Sequence, residues 1–218
     1  MRLQLLMIIL SLTTTAQSPD PWKDVYKESA WADRDKWQKS NELIRYLQIR
    51  SGSQVADVGC HEGYMSFKLA NAVGKEGKVY SVDVKQEKLD KLNEHAQARQ
   101  VENIITVKGD YDNPKLPINT LDAVIIMDTY HEMDDHDKIL KHILAALKPG
   151  GRLILCEPIA KERRDASRED QEARHELDMS HALNDLKEAG FGIIKQQDPF
   201  IDRTEKGDIM WLIVAGKR

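Results

Sequence analysis

Seven short apolar segments alternate along the chain with longer segments of helical periodicity. The apolar segments span residues 54–58, 78–83, 103–109, 121–128, 152–158, 192–197 and 210–217. They are rich in Val, Ile and Leu, which predicts seven β strands. The segments between the first six carry apolar residues three and four positions apart, as one face of a helix requires. This alternation predicts an α/β fold with a mostly parallel sheet and helices on both faces.

The predicted helix before the fifth strand has the clearest periodicity. Its apolar stripe comprises Ile139, Leu140, Ile143, Leu144 and Leu147. Aspartates within 134–137 stand where the partial positive charge of a helix N-terminus favours them. Pro149, followed by two glycines, is expected to end the helix.

The last helix and the last two strands form the C-terminal part of the fold. Ser180 is predicted to cap the N-terminus of that helix, and Gly190 to close its C-terminus. Segment 198–208, which joins the last two strands, has no helical stripe. Because parallel strands need a long crossover connection, these two strands are expected to pair antiparallel.

The N-terminus has the pattern of a signal peptide. Arg2 precedes an apolar run over 3–12, and Thr14 and Ala16 occupy positions −3 and −1 of a cleavage site. We therefore expect residues 1–16 to be a leader, the mature protein to be exported, and no stable membrane span to remain, since the run is too short to cross a bilayer. The alternative is a cytoplasmic chain with an apolar start or an interfacial anchor.

Two further segments complete the predicted domain organisation. Residues 17–50 are helical in character and contain three of the four tryptophans, so they are expected to pack as a lid or buttress. Residues 51–218 form the main domain. The net charge of −4 lacks the basic excess typical of proteins that bind nucleic acids, and composition leaves the oligomeric state open. Cys60 and Cys156 are placed two strand spacings apart, about 10 Å, which is too far for a disulfide.

The loop after the first strand contains two glycines but no standard nucleotide motif. Asp57 ends the strand, Gly59 and Gly63 follow four positions apart, and His61 stands where a third glycine is common. The spacing differs from the G-x-G-x-x-G pattern of dinucleotide-binding proteins. The Lys-Ser/Thr pair of a P-loop is missing as well.

An acidic residue stands at or just after the carboxyl end of each of the first five strands. These residues are Asp57, Asp83, Asp110, Asp128 and Glu157. Ligands of open α/β sheets bind at this edge. Carboxylates accept hydrogen bonds from ribose hydroxyls and amines, and they attract cations. The pattern therefore favours an adenosine-type ligand with positive charge over a phosphate-rich one.

Five motifs in this order carry a resemblance to a known family. They are VADVGCHEG, VYSVD, GDYDNPKLP, LDAVIIMDTYHEM and LKPGGRLILCEP, within residues 54–158. The chain resembles the class I S-adenosylmethionine-dependent methyltransferases, and is most similar to the small-molecule branch that includes ubiquinone/menaquinone-biosynthesis enzymes. The resemblance implies a Rossmann-like, doubly wound seven-stranded sheet with an antiparallel last strand. It also implies S-adenosyl-L-methionine as cofactor and a small molecule as methyl acceptor.

The resemblance also implies roles for individual residues. The loop around the methionine part of the cofactor would comprise Asp57, Gly59, Cys60, His61 and Gly63. Asp83 would bind the ribose hydroxyls, Asp110 and Tyr111 would lie at the adenine, and Asp128 would lie under the sulfonium and the amino-acid end. His61 departs from the family pattern, which usually has glycine at this position.

His131 is the candidate catalytic residue because it follows the fourth strand, where an acceptor would meet the cofactor. It could act as a general base or contact the substrate, and the alternative is a histidine that packs locally. His131 and His136 are five positions apart, which places them about 140° apart on a helix, so this pair predicts no metal site. The charged run 161–176 is expected to be a solvated helix face, with Arg163, Arg164 and His175 as candidates for contact with an anionic substrate.

Two other functions compete with methyl transfer. A non-catalytic module that binds S-adenosylmethionine fits the same motifs. A nicotinamide-dependent oxidoreductase of the short-chain type would need Tyr-x-x-x-Lys on a helix beside the nicotinamide. Tyr64 and Lys68 have this spacing but lie on the helix that opens the nucleotide site, and Pro114 interrupts the second match, Tyr111–Lys115.

Overall fold

The computed structural model describes residues 24–203 and 207–217. The predicted leader, 1–16, lies outside the described residues, as does the first part of segment 17–50. Within residues 24–203 and 207–217, every helix is too short or too polar to cross a membrane.

The strands form one seven-stranded sheet. They are β1 (Gln54–Val58), β2 (Lys78–Asp83), β3 (Ile104–Lys108), β4 (Leu121–Met127), β5 (Leu147–Ile159), β6 (Gly192–Arg203) and β7 (Asp208–Gly216). Their order is β3-β2-β1-β4-β5-β7-β6. Strands β1 to β5 pair in parallel, and β7 lies antiparallel to both β5 and β6. The predicted fold class and the antiparallel pairing of the last two strands are confirmed.

Seven α-helices lie before and between the strands in the described residues. They are α1 (Trp31–Trp37), α2 (Ser40–Leu47), α3 (Tyr64–Val73), α4 (Gln86–Ala98), α5 (His136–Ala146), α6 (Arg168–Glu172) and α7 (Met179–Glu188). The prediction of Ser180 as the cap of α7 is wrong. Asp178 is the N-cap, and its carboxylate accepts both the backbone N–H (3.0 Å) and the hydroxyl (2.6 Å) of Ser180. The carboxylate satisfies a free N–H of the first turn, so the helix begins earlier than expected.

Strands β5 and β6 are longer than the apolar segments 152–158 and 192–197 that predicted them. The assignment of Leu147 to the stripe of the preceding helix is wrong, because α5 ends at Ala146 and β5 begins at Leu147, which pairs with Leu121. Pro149 and the two glycines, expected to end the helix, lie within β5. A register shift in the pairing with β4 accommodates these residues. The two cysteines are buried and free, as their predicted separation required.

Alternating side chains of the central strands supply two separate cores. On β4, Val124 and Ile126 point to the face covered by α5 and α7, whereas Ala123 and Ile125 point to the face covered by α2 and α3. All four are fully buried. A strand buried on both faces explains why β4 is continuously apolar.

Candidate active site

A cavity of about 910 Å³ opens at the edge of the sheet where the parallel strands end. Nine of the ten predicted site residues line it. These are Asp57, Gly59, Cys60, His61, Asp83, Asp110, Tyr111, Asp128 and His131. The sheet order places the β1 and β4 ends side by side at the point where the strand order reverses, which is where open α/β sheets bind ligands.

The two glycines of the loop, Gly59 and Gly63, have different packing roles. The backbone of Gly59 has φ +80°, and a Cβ at this position would lie 2.2 Å from Cγ2 of Thr129. Gly59 is therefore needed for the close approach of the loops after β1 and β4. Gly63 does not line the cavity, unlike the other predicted residues. It has φ +99° and packs behind the wall, where a Cβ would lie 2.9 Å from Cγ of Leu92.

His61 adopts the backbone conformation that glycine favours. Its φ is +48°, so the loop keeps its left-handed turn at a cost that the surrounding contacts must offset. Its ring centroid lies 5.4 Å from that of Tyr26. Burial lowers the pKa of His61 to about 4, so the ring is neutral at pH 7. The side chain forms part of the cavity wall beneath the N-terminal segment.

Asp83 holds the glycine loop through its carboxylate. Its Oδ2 accepts the backbone N–H of His61 at 3.0 Å, and its Oδ1 accepts that of Lys85 at 2.8 Å. Each carboxylate oxygen retains a free lone pair for a ligand. The rim of the cavity at Asp110 and Tyr111 is open to solvent. Tyr111 is 71% exposed there, and Asp110 forms an ion pair with Lys115 at 2.8 Å.

Asp57 is a buried carboxylate with an unusual ionisation. Its Oδ2 accepts the hydroxyl of Ser66 at 2.6 Å, and Ser66 in turn accepts that of Ser81 at 2.8 Å. Burial raises the pKa of Asp57 to about 6, although the Ser66 bond and the charge of Arg34 oppose this shift. A cation placed in the cavity would favour the ionised form.

The N-terminal segment contributes two residues that the sequence analysis did not identify, Tyr26 and Arg34. Both line the cavity. Burial, together with the carboxylate of Asp128 that its hydroxyl bonds, raises the pKa of Tyr26. The guanidinium of Arg34 is 6% exposed and lies over the ring of Tyr64, 4.0 Å from its centroid.

Only one nitrogen of the Arg34 guanidinium has a side-chain hydrogen-bond partner among the described residues. Its Nε donates to Gln38 at 2.6 Å. Among the described residues, no carboxylate oxygen lies within 4.0 Å of its guanidinium nitrogens. Burial lowers the pKa of Arg34, while Asp128 is the first of the charges that oppose this. Nothing in the local sequence distinguishes Arg34 from a surface arginine of an amphipathic helix, so only tertiary packing reveals it.

His131 is anchored by a buried glutamate. Its Nδ1 lies 2.6 Å from Oε2 of Glu157, whose side chain is 0% exposed. Oε1 of Glu157 also accepts the backbone N–H groups of Thr129 (2.8 Å) and Tyr130 (2.9 Å), which fixes the turn that carries His131. Although burial acts to lower it, the charges of Glu157 and Glu132 raise the pKa of His131 to about 10.

The charged run 161–176 is not the single solvated helix face that the sequence predicted: it contains a 3-10 turn (Lys161–Arg163) and the short α6, and it borders the side of the cavity near His131. Arg163 is bound to Glu176, and both residues line the cavity together with His175. Arg164 does not line it, because its guanidinium is bound to Asp198 at 2.7 Å. Arg174, which the sequence analysis did not single out, is exposed and lines the cavity.

Comparisons with known proteins identify the family of the chain. A family model described as "Methyltransferase domain" matches residues 49–214. A demethylmenaquinone methyltransferase of Geobacillus sp. (strain WCH70) is 29% identical over 122 residues, covering 56% of this chain and 51% of the relative. The chain thus spans about half the length of the curated relatives it matches.

Solved structures share the fold. A SAM-dependent methyltransferase from Aquifex aeolicus superposes with a TM-score of 0.74 at 21% identity, covering 90% of this chain and 96% of the other. A phosphoethanolamine N-methyltransferase 2 from Haemonchus contortus, in complex with S-adenosyl-L-methionine, superposes with a TM-score of 0.67 at 15% identity, covering 91% and 59%. At these identities the likeness establishes the architecture alone.

Proposed function

The chain belongs to the methyltransferase-domain family, and on that premise we propose that it transfers the methyl group of S-adenosyl-L-methionine to a small-molecule acceptor. The cofactor supplies a methyl group that is already activated on a cationic sulfur. One observation carries the proposal. A single cavity presents the carboxylates of Asp57, Asp83 and Asp128 together with the buried guanidinium of Arg34. S-adenosyl-L-methionine combines ribose hydroxyls, an ammonium group and a sulfonium with one carboxylate, which matches this set of groups.

The cofactor's adenosine part is assigned to the β2 and β3 side of the cavity. Asp83 accepts the ribose hydroxyls through the lone pairs that His61 and Lys85 leave free. Asp110 and Tyr111 border the adenine at the open rim.

The methionine part is assigned to the loop after β1 and to the N-terminal segment. Arg34 binds the carboxylate, because its side chain is buried in this wall and only its Nε has a side-chain hydrogen-bond partner among the described residues. Asp57 and Asp128 favour the positive charges of the ammonium and the sulfonium. Cys60 and Gly59 line the same cavity, where the backbone of the loop after β1 would face the ligand.

The acceptor is assigned to the opposite side, where His131, Arg174 and His175 line the cavity. The volume of about 910 Å³ lies within the usual range of small-molecule sites, about 300–1,000 Å³. Because the curated relatives are matched over only half their length, their menaquinone precursor is not transferred to this protein as its acceptor. Arg174 and His175 favour an acceptor that carries oxygen or negative charge. The negative net charge supports a small molecule over a nucleic acid.

The oxidoreductase alternative finds no support in the geometry. Tyr64 donates its hydroxyl to Asp35 at 2.8 Å, and Lys68 forms an ion pair with the same carboxylate at 2.5 Å. Tyr64 and Lys68 thus share one partner, the carboxylate of Asp35. A short-chain reductase needs them beside a nicotinamide.

We propose in addition that the protein is exported, on the strength of the leader pattern in residues 1–16. The cofactor is made in the cytoplasm, so an exported enzyme requires a supply of it outside. The alternative is that the leader is retained and that the enzyme acts in the cytoplasm.

Two measurements test the proposed activity. In calorimetric titrations, S-adenosyl-L-methionine and its demethylated product should bind with one site per chain, and NADH should not. Binding of NADH alone would overturn the proposal. The protein is then incubated with methyl-labelled cofactor and a small-molecule extract of the cells that make it. Transfer of label to an extract compound establishes a methyltransferase, whereas cofactor binding without any transfer would make the chain a binding module.

A further inference from the structure

Three side chains with metal-binding atoms meet on the acceptor side of the cavity. They are His131, Glu132 and His175, each of which lines the cavity. Nε2 of His131 lies 3.6 Å from Oε1 of Glu132, and Nδ1 of His175 lies 2.5 Å from the same oxygen. All three ligand atoms fall within 4.8 Å of one another. The spacing of His131 and His136 gave no sign of this cluster, because His175 joins it from a position 43 residues beyond Glu132.

The environment of His131 has the form found around metal-bound histidines. Its side chain is 4% exposed, and its Nδ1 is held by the fully buried Glu157 at 2.6 Å. A ligating imidazole almost always gives its second nitrogen to a carboxylate or carbonyl, which fixes the direction of the nitrogen that binds the ion. Here the fixed nitrogen is Nδ1, so Nε2 faces Glu132 and His175.

The charges in this corner also call for a cation. Arg163 is bound to Glu176. Glu132 and Glu157 have only the two imidazoles as their side-chain partners in the described residues. In the ion-free site the imidazole of His131 carries a proton, because these carboxylates raise its pKa to about 10. An ion that binds Nε2 would displace that proton and leave the two carboxylates, with a charge of −2, beside neutral imidazoles. A divalent ion would balance that charge.

We propose that His131 Nε2, Glu132 and His175 Nδ1 form a binding site for a divalent transition-metal ion, with Glu157 as the carboxylate that orients His131. Two imidazoles and one carboxylate suit ions such as Zn²⁺, Fe²⁺ or Mn²⁺. Ligand atoms at about 2.0–2.2 Å from an ion lie about 3.0–3.5 Å apart. The observed 3.6 Å is close to that spacing, and the 2.5 Å hydrogen bond between Glu132 and His175 would lengthen as the ion replaces its proton. The half-exposed side chains of these two residues have room to make this movement.

Three protein ligands leave coordination positions open toward the cavity. The next step rests on the proposed function. The acceptor would be a molecule with a hydroxyl, or a pair of oxygens, that can bind the ion. An oxygen beside a divalent ion loses its proton more readily. That is the activation that methylation of a hydroxyl requires.

The site is tested by titrating chelator-treated, full-length protein with Zn²⁺ in a calorimeter and with Co²⁺ by visible absorption. The wild type should bind one ion per chain at this site. The variants His175→Ala and Glu132→Gln should each weaken binding at least about tenfold. Both side chains are exposed, so these variants are expected to fold, which His131→Ala is not certain to do. His142→Ala, an exposed histidine on α5 that does not line the cavity, is the matched control and should bind as the wild type does.

The outcomes separate this inference from the proposed function. No binding of either ion, or binding unchanged in both His175→Ala and Glu132→Gln, overturns the metal site. Acetohydroxamate, a small ligand with two oxygens, should alter the Co²⁺ spectrum of the wild type, and an unaltered spectrum would refute the open positions. The cofactor titration is run separately on the same protein. Cofactor binding without ion binding refutes the site alone, whereas ion binding without cofactor binding supports the site and refutes the proposed activity.

Discussion

The carboxylate of Asp83 accepts the backbone N–H of His61 at 3.0 Å. This bond joins the end of β2 to the loop after β1, across two strands that lie side by side. It accounts for the conformation of His61, since the N–H is held in a left-handed turn that a side chain tolerates with strain. The residue predicted to bind the ribose therefore also shapes the loop that is proposed to face the rest of the cofactor.

Asp83→Ala should weaken the binding of S-adenosyl-L-methionine strongly. Loss of a charge-assisted hydrogen bond costs about 1.5–3 kcal/mol, which corresponds to a dissociation constant roughly 10–150-fold higher. Calorimetric titration measures this change. Asp90→Ala, an exposed aspartate on α4, is the control and should bind as the wild type does. Equal affinities for the two variants would remove Asp83 from the site.

Binding of S-adenosyl-L-methionine should strengthen as the pH rises from 5 to 7. Burial raises the pKa of Asp57 to about 6, above its usual value near 4. The carboxyl is neutral below that pH, and a cationic ligand binds the ionised form better, so affinity falls as Asp57 takes up its proton. Titrations across this range should show the slope in the wild type and a flatter profile in Asp57→Asn. A slope that persists in the variant would assign the effect to another group.

The same pKa predicts how Asp57 affects the stability of the ligand-free protein. A carboxyl whose pKa is raised on folding stabilises the fold at low pH relative to high pH, and that contribution is lost as the pH rises through about 6. The free energy of unfolding of the wild type should therefore fall relative to that of Asp57→Asn, by about 2–3 kcal/mol from pH 4 to pH 8. Urea unfolding at the two pH values measures it. A difference that does not vary with pH would contradict the raised pKa.

Arg34→Gln should weaken the binding of S-adenosylhomocysteine at least about tenfold, because the ligand's carboxylate loses its cationic partner. Adenosine lacks the carboxylate, and its affinity should stay within about twofold of the wild type. Arg45→Gln on α2, which is 72% exposed, provides the control for loss of a positive charge. Equal losses for both ligands would show that Arg34 supports the fold of the site rather than the carboxylate.

Gly59→Ala should destabilise the protein more than Gly52→Ala does. Both glycines have positive φ, +80° and +83°, so both variants suffer backbone strain. Only at Gly59 would the new Cβ meet another atom, Cγ2 of Thr129 at 2.2 Å, whereas nothing lies within 4 Å of the Cβ at Gly52. We expect an additional loss of about 1–3 kcal/mol from the clash, measured by chemical unfolding. Equal destabilisation would mean that the two loops separate at little cost.

Cleavage of the leader should leave Gln17 as the first residue of the mature protein. Intact mass and N-terminal sequencing of the protein from the cells that make it test this. Leu6→Arg places a charge in the apolar run and should prevent export, since that run is what the export machinery binds. An uncleaved chain in the cytoplasm would favour the alternative location.

Local patterns were sufficient to predict the sheet and most of one wall of the cavity. Strands β1 and β2 have the predicted bounds, because buried apolar residues dominate both; β1 stops at Val58, before Gly59, and β2 stops at Asp83. Acidic residues at strand ends meet at one edge in any parallel sheet, so Asp57, Asp83 and Asp128 could be grouped without coordinates. Ser180 was misassigned because an aspartate two residues earlier is an equally good cap.

The sequence by itself thus determined the order of strands and helices, the edge at which the cavity opens, and the glycine loop, since each depends on residues close together in the chain. Only the tertiary structure decided that Arg34 and Tyr26 close one side of the cavity and that His175 reaches Glu132 on the other. Those contacts join segments tens of residues apart. No periodicity records them, because they depend on how helices and loops pack against the finished sheet.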